Sequence, residues 1–196
     1  MNKRDISTEL KKLGWAYIKD ENNDKYFLKN YEDLQVILTP KLEKRGEIFY
    51  FSLDPSVSSR KFSEICNYII CEEREFYYLI SRYGLLAPPL EKGEPESEFK
   101  LINIEVFNDL LAEASIWAKY QEIDKALRYY AEAPTTWPGI APLYHLAALV
   151  IEDNKDRLKH YQQSFLQGNR LGFVPYITDE VINRAVQLTS RSLHEP

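Results

Sequence analysis

Three groups of residues have types and spacings that bear on chemistry. Ser58-Ser59-Arg60-Lys61 has the Ser-x-x-Lys spacing, which sets a hydroxyl one helical turn from an amine able to take its proton, as in penicillin-recognising enzymes. Its companion motifs, Ser-Asp-Asn and Lys-Thr-Gly, do not occur in the chain, so the serine reads as a helix cap and the lysine as solvated. His145 and His160 fall at nearly equal height on two antiparallel helices that turn near Glu152 and Asp153, with Asp156 one turn before His160. Two imidazoles and a carboxylate would hold a metal ion, but no H-x-x-x-H or HExxH pairing fixes the ligands, and packing or surface histidines are the preferred reading. Gly168-Asn169-Arg170-Leu171-Gly172 lacks both the Walker Lys-Ser/Thr and a preceding strand, so its glycines read as a cap and a turn. No catalytic residue, metal or cofactor is assigned on this basis.

Binding residues are easier to nominate. The chain carries three Trp, nine Phe and fourteen Tyr in 196 residues, and a tyrosine can pack its ring while its hydroxyl stays wet. Trp137-Pro138-Gly139 cannot be helical throughout, so Trp137 is either a lid on the core or an exposed anchor. Tyr129, Tyr144, Tyr161 and Tyr176, with Asp153 and Asp156, are the other candidates for a partner-binding face; the competing role for each tyrosine is packing between helices. Charge supports a protein as the partner. Residues 1–90 carry 14 basic and 14 acidic side chains, whereas residues 91–196 carry 11 against 16, which accounts for the whole net charge of −5. An acidic helical surface repels phosphate backbones, so nucleic acid is not expected and a basic protein is.

The elements that must position these residues divide at 85–98, where Pro88-Pro89, Gly93 and Pro95 sit among acidic residues. The expected organisation is a first domain over 1–84, a linker over 85–98 and a helical-hairpin domain over 99–196. Upstream, Ile6, Leu10 and Leu13 mark a short helix ended by Gly14. Four strands are expected at 15–19, 25–29, 34–39 and 47–53, the last two with one apolar face each (Leu34, Val36, Leu38; Phe49, Phe51, Leu53). A helix follows, capped by Ser58 or Ser59, with apolar positions Phe62, Ile65, Cys66, Ile69 and Ile70, which could cover the sheet; continuation to Tyr83 is the favoured reading, and a strand over 76–80 is the alternative. Cys66 and Cys71 would then point about 140° apart, unsuited to a disulfide. The fold class is α+β: an α-β4-α antiparallel meander, then helices at 106–119, 122–132, 141–152, 154–167 and 179–190.

Leu110, Ala114, Trp117, Ala126, Tyr130, Ala133 and Pro138 fall on the offsets of one tetratricopeptide unit, which that stretch resembles; the resemblance implies a groove for an extended peptide. The whole arrangement resembles bacterial immunity proteins in general style. A short helix ending Lys11-Lys12-Leu13-Gly14-Trp15, an aromatic meander and an acidic helical tail carry that likeness. It implies a non-enzymatic cytoplasmic protein that neutralises a toxin by direct binding. The alternatives are a tetratricopeptide-like chaperone or scaffold, and an enzyme with a site around His145, His160 and Asp156. No stretch is apolar and long enough for a membrane span, and Met1 to Lys12 lacks a signal-peptide pattern.

Overall fold

The computed structural model describes residues 1–19, 25–46, 48–71, 78–82, 97–99 and 103–191. The fold is α+β, and its secondary structure falls into two compact units.

The first unit comprises Met1–Arg60 and Leu79–Ile123. It opens with α1 (Lys3–Lys12), whose cap is reciprocal: Asn2 Oδ1 accepts from the Arg4 and Asp5 amides, and the Asp5 carboxylate accepts from the Asn2 amide. Four strands follow as an antiparallel meander, β1 (Ala16–Lys19), β2 (Lys25–Tyr31), β3 (Leu34–Arg45) and β4 (Ile48–Ser59). Short strands β5 (Ser81–Arg82) and β6 (Ser97–Phe99) both pair with β4.

The third and fourth strands run much longer than 34–39 and 47–53. Their ladder extends from Leu34 opposite Ser59 to Arg45 opposite Ile48, turning where Gly46 adopts a φ of 65°. Pro40 and Pro55, beyond the expected strand ends at 39 and 53, lie inside it. Pro40 is past the end of the β2 register, and Pro55 falls between the segments of β4 that pair with β6 and β5, so each occupies an edge-like position where a missing N–H is tolerated. Ser58 and Ser59 are therefore strand residues, and the Ser59 hydroxyl donates to the Asp33 carboxylate at 2.6 Å.

One face of this sheet presents Phe27, Val36, Leu38, Phe51, Leu53 and Val57, and α1 packs Ile6 and Leu10 against it. The helix that joins α1 there is α3 (Ile104–Lys119), through Phe107, Ala114 and Ala118.

The second unit comprises Lys61–Tyr78 and Asp124–Pro196. It holds α2 (Arg60–Ile70) from Lys61 onward, α4 (Ile123–Ala131), α5 (Ala141–Ile151), α6 (Lys155–Leu166) and α7 (Asp179–Arg191). The compact units thus interleave along the chain where a linear division at 85–98 was expected. Residues 83–96 lie outside those described, and Ser97 and Glu98 belong to β6. The reason for the interleaving is visible in α2, whose Phe62 ring meets Tyr144 of α5 edge-on at 5.1 Å. Arg184 of α7 also donates to the Ile69 carbonyl near the end of α2. Helix α2 stops at Ile70 where Cys71 turns left-handed (φ 59°), so the helix does not continue to Tyr83; Ser81 and Arg82 are strand, and residues 72–77 lie outside those described. Cys66 is buried and Cys71 exposed, both as free thiols.

Candidate functional site

The nominated binding residues separate into three groups in the helical unit. Tyr144 and Tyr161 are core. Tyr144 sits among Phe62, Tyr78 and Tyr130, all in edge-to-face contact with ring centroids 5.1–6.1 Å apart, and burial pushes its hydroxyl pKa well up.

Tyr161 belongs to a directional chain of hydrogen bonds. His145 is fully buried, and its Nδ1 lies 2.8 Å from the Tyr130 carbonyl, which can only accept; Nδ1 therefore carries the proton and Nε2 is an acceptor. The Tyr161 hydroxyl, 3.0 Å away, donates to Nε2 and in turn accepts from Arg157 Nε at 2.6 Å. A second arm of Arg157 donates to the Ala131 carbonyl at 2.8 Å. Tyr130 and Ala131 are the last residues of α4, so this network satisfies carbonyls that the helix end would leave bare. Burial lowers the His145 pKa to about 4, helped by the nearby Arg157 charge and opposed by the bond to Tyr130. Both ring nitrogens are occupied by protein, and the residue facing His145 is Tyr161, whereas His160 is exposed. Among the described residues no cluster of His, Cys, Asp or Glu is placed to hold a metal ion.

Asp153 and Asp156 form the second group, at the turn between α5 and α6. Both are exposed; Asp153 adopts a φ of 53° and pairs with Lys155 at 3.1 Å, and Asp156 lies in the first turn of α6. They stand at the far end of α5 from Ile140, about 18 Å along the axis at ~1.5 Å per residue.

The third group is a surface. Tyr129, Ile140 and Tyr176 are 43%, 48% and 43% exposed, and Trp137 is half-buried. Trp137 tilts against Tyr129 with centroids 5.5 Å apart, and the Tyr176 hydroxyl donates to the Gly139 carbonyl at 3.0 Å. The connection over 134–140 is thereby fastened to the connection over 168–177. A second fastener is the Thr135 hydroxyl, which donates to the Leu171 carbonyl. A third is close approach at Gly172 (φ 78°), where a Cβ would lie 2.6 Å from the Thr136 methyl. Arg170 stiffens its own loop through bonds to the Val174, Pro175 and Ile177 carbonyls. The result is an apolar, aromatic patch made by Tyr129 of α4 and a loop pair held at several points. Ile140 was not nominated from sequence; its place directly after Gly139, with Pro142 opening α5, was the available signal.

The sequence profile of DUF6990, described as a family of unknown function, matches residues 2–190. The chain belongs to that family. No curated protein and no solved structure matches this DUF6990 chain. Among the described residues, no helix is long and apolar enough to cross a membrane.

Proposed function

We propose that this chain is a non-enzymatic, cytoplasmic protein-binding module whose docking surface is the Tyr129–Trp137–Ile140–Tyr176 patch, and that its role is that of an immunity protein neutralising a bacterial toxin by direct binding. The observation that carries this reading is the fastening of the patch: Tyr129 from α4 meets Trp137, Ile140 and Tyr176 on a loop pair tied by Thr135, Gly172 and Tyr176. Contiguous exposed apolar rings mark interaction sites, and aromatic anchors that are already ordered lose little entropy on docking. Exposed Glu132, Asp179 and Glu180 lie close in sequence to the patch, with Arg128 beside Tyr129, an excess of acid that favours a basic partner. These carboxylates, unlike Asp153 and Asp156 at the other end of α5, flank the patch and would steer that partner. His145 supports the non-enzymatic part, since its Nδ1 serves the end of α4 and its Nε2 is taken by the Tyr161 hydroxyl.

The test begins with the product of the adjacent gene. Expressed alone it should arrest growth, and co-expression of this chain should restore growth and yield a stable complex. Trp137→Ala should weaken that complex by roughly tenfold or more, the usual cost of losing an aromatic anchor, with the circular dichroism of the free chain unchanged. A harmless neighbour that forms no complex, or a Trp137→Ala chain that binds as well as the parent, would sink the proposal. Binding of short linear peptides from an array would favour the tetratricopeptide-like scaffold instead.

A further inference from the structure

In the sheet unit, α1 and the first three strands enclose a cavity of about 610 Å³, within the range of small-molecule sites. Four cations line it: Lys3, Arg4 and Lys11 from one side of α1, and Lys25 from the start of β2. Among the described residues no Asp or Glu lines it, and none of these four cations makes an ion pair. This concentration of positive charge is local, because the chain as a whole carries −5.

Two of the cations stand where helix energetics disfavour them. Lys3 and Arg4 occupy the first turn of α1, at the positive end of its dipole, where a cation costs about 0.3–1 kcal/mol. The Asn2–Asp5 cap already satisfies the first amides, so an anion in the cavity would meet side chains and not the helix end. A local rule broken without a local gain is a mark of function. The opposite wall is apolar: Phe27 and Leu42 line it, and Tyr17 lies edge-on to Phe27 at 5.5 Å with Lys11 Nζ 4.8 Å from its ring centre.

We propose that this cavity binds a phosphorylated small molecule with an apolar body, of the size and chemistry of a nucleotide. Several cations call for more than one negative charge on the ligand. The Arg4 guanidinium suits two phosphate oxygens at once, whereas the lysines act as point charges. The Ser7 hydroxyl also lines the cavity and makes no hydrogen bond among the described residues, leaving it free to donate. Phe27, Leu42 and the ring of Tyr17 would cover the apolar part.

Calorimetric titration of the full chain with ATP, pyrophosphate and adenosine tests this, at ~50 and ~200 mM salt. ATP should bind measurably below about 1 mM, more tightly than pyrophosphate, and more weakly at the higher salt; adenosine should bind least. The Arg4→Glu/Lys11→Glu double variant should lose at least roughly tenfold in ATP affinity. Lys159→Glu, the same kind of charge change on the other unit, should stay within about twofold. No binding of ATP would overturn the proposal, as would equal weakening by Lys159→Glu. Pyrophosphate binding as tightly as ATP would overturn the apolar half of the assignment, and adenosine binding as tightly would overturn the charged half. A short RNA that binds far more tightly than ATP, and is lost in the double variant, would replace the small molecule with a nucleic acid. Thermal melting of each variant separates lost binding from lost folding.

Discussion

In the sheet unit Lys3, Arg4, Lys11 and Lys25 stand around a cavity above an interior of apolar side chains, whereas in the helical unit Arg157, Arg170 and Arg184 turn inward to backbone carbonyls. Lys29, which donates to the Leu13 carbonyl at 3.0 Å, is an exception on the sheet side. The difference has a physical lesson. A guanidinium whose donors are spent on carbonyls holds loops and helix ends in place and has little left for a ligand. A cation beside a cavity that spends no donor on a carbonyl or carboxylate keeps those donors for a visitor. The two proposals rest on that contrast: rings would meet a protein partner in the helical unit, and charge would meet a ligand in the sheet unit.

If that contrast is right, the sheet unit should depend on apolar packing most heavily. Phe107→Ala should lower unfolding free energy by about 3–5 kcal/mol in urea titrations, since Phe107 is fully buried on the core-facing side of α3. A loss below about 1 kcal/mol would mean that α3 does not anchor this core.

The helical unit should instead reveal its polar interior through pH. His145 has a native pKa near 4 against 6.5 when unfolded. Between those values the unfolded chain takes up a proton that the native chain refuses, so stability falls as pH drops from about 6.5 to about 4 and this contribution levels off below. At ~1.4 kcal/mol per pKa unit the loss is on the order of 3 kcal/mol. His145→Asn should remove that part of the pH dependence, measured by urea unfolding near pH 7 and near pH 4. An unchanged slope would show that the imidazole is not held neutral.

The smallest effect carries the sharpest sign. Arg4→Glu should stabilise the chain by about 0.3–1 kcal/mol, because a carboxylate suits the first turn of α1, while weakening ATP binding. A destabilised Arg4→Glu chain would mean that the arginine supports the fold and would erase the contrast between the units.

The helices of the second half were legible because their ends are written in local chemistry. Thr178 accepts from the Val181 amide, Asn154 from the Arg157 amide, and Gly168 turns left-handed after α6. The long β3–β4 hairpin was not, because proline is read as a terminator unless the edges of the sheet are known. Nor was the interleaving of the units, since the stripe Phe62, Ile65, Cys66, Ile69 shows that α2 is buried and not what buries it. Of the nominated binding residues, Tyr129, Trp137 and Tyr176 share a surface, while Tyr144 and Tyr161 are core; composition alone cannot separate an anchoring tyrosine from a packed one. The cationic cavity was hidden by arithmetic, because residues 1–90 sum to zero charge. The stripe at 3, 4, 7, 8 and 11, cations and hydroxyls beside apolar 6 and 10, held the signal.

Gly172 has a consequence that reaches past its own loop. It touches no exposed ring, yet the absence of a side chain there is what lets Thr136, next to Trp137, lie flat against the backbone. Any larger residue would have to displace that threonine side chain, one position before the tryptophan. The proposed docking surface can thus be reshaped from a position that brings no side chain of its own.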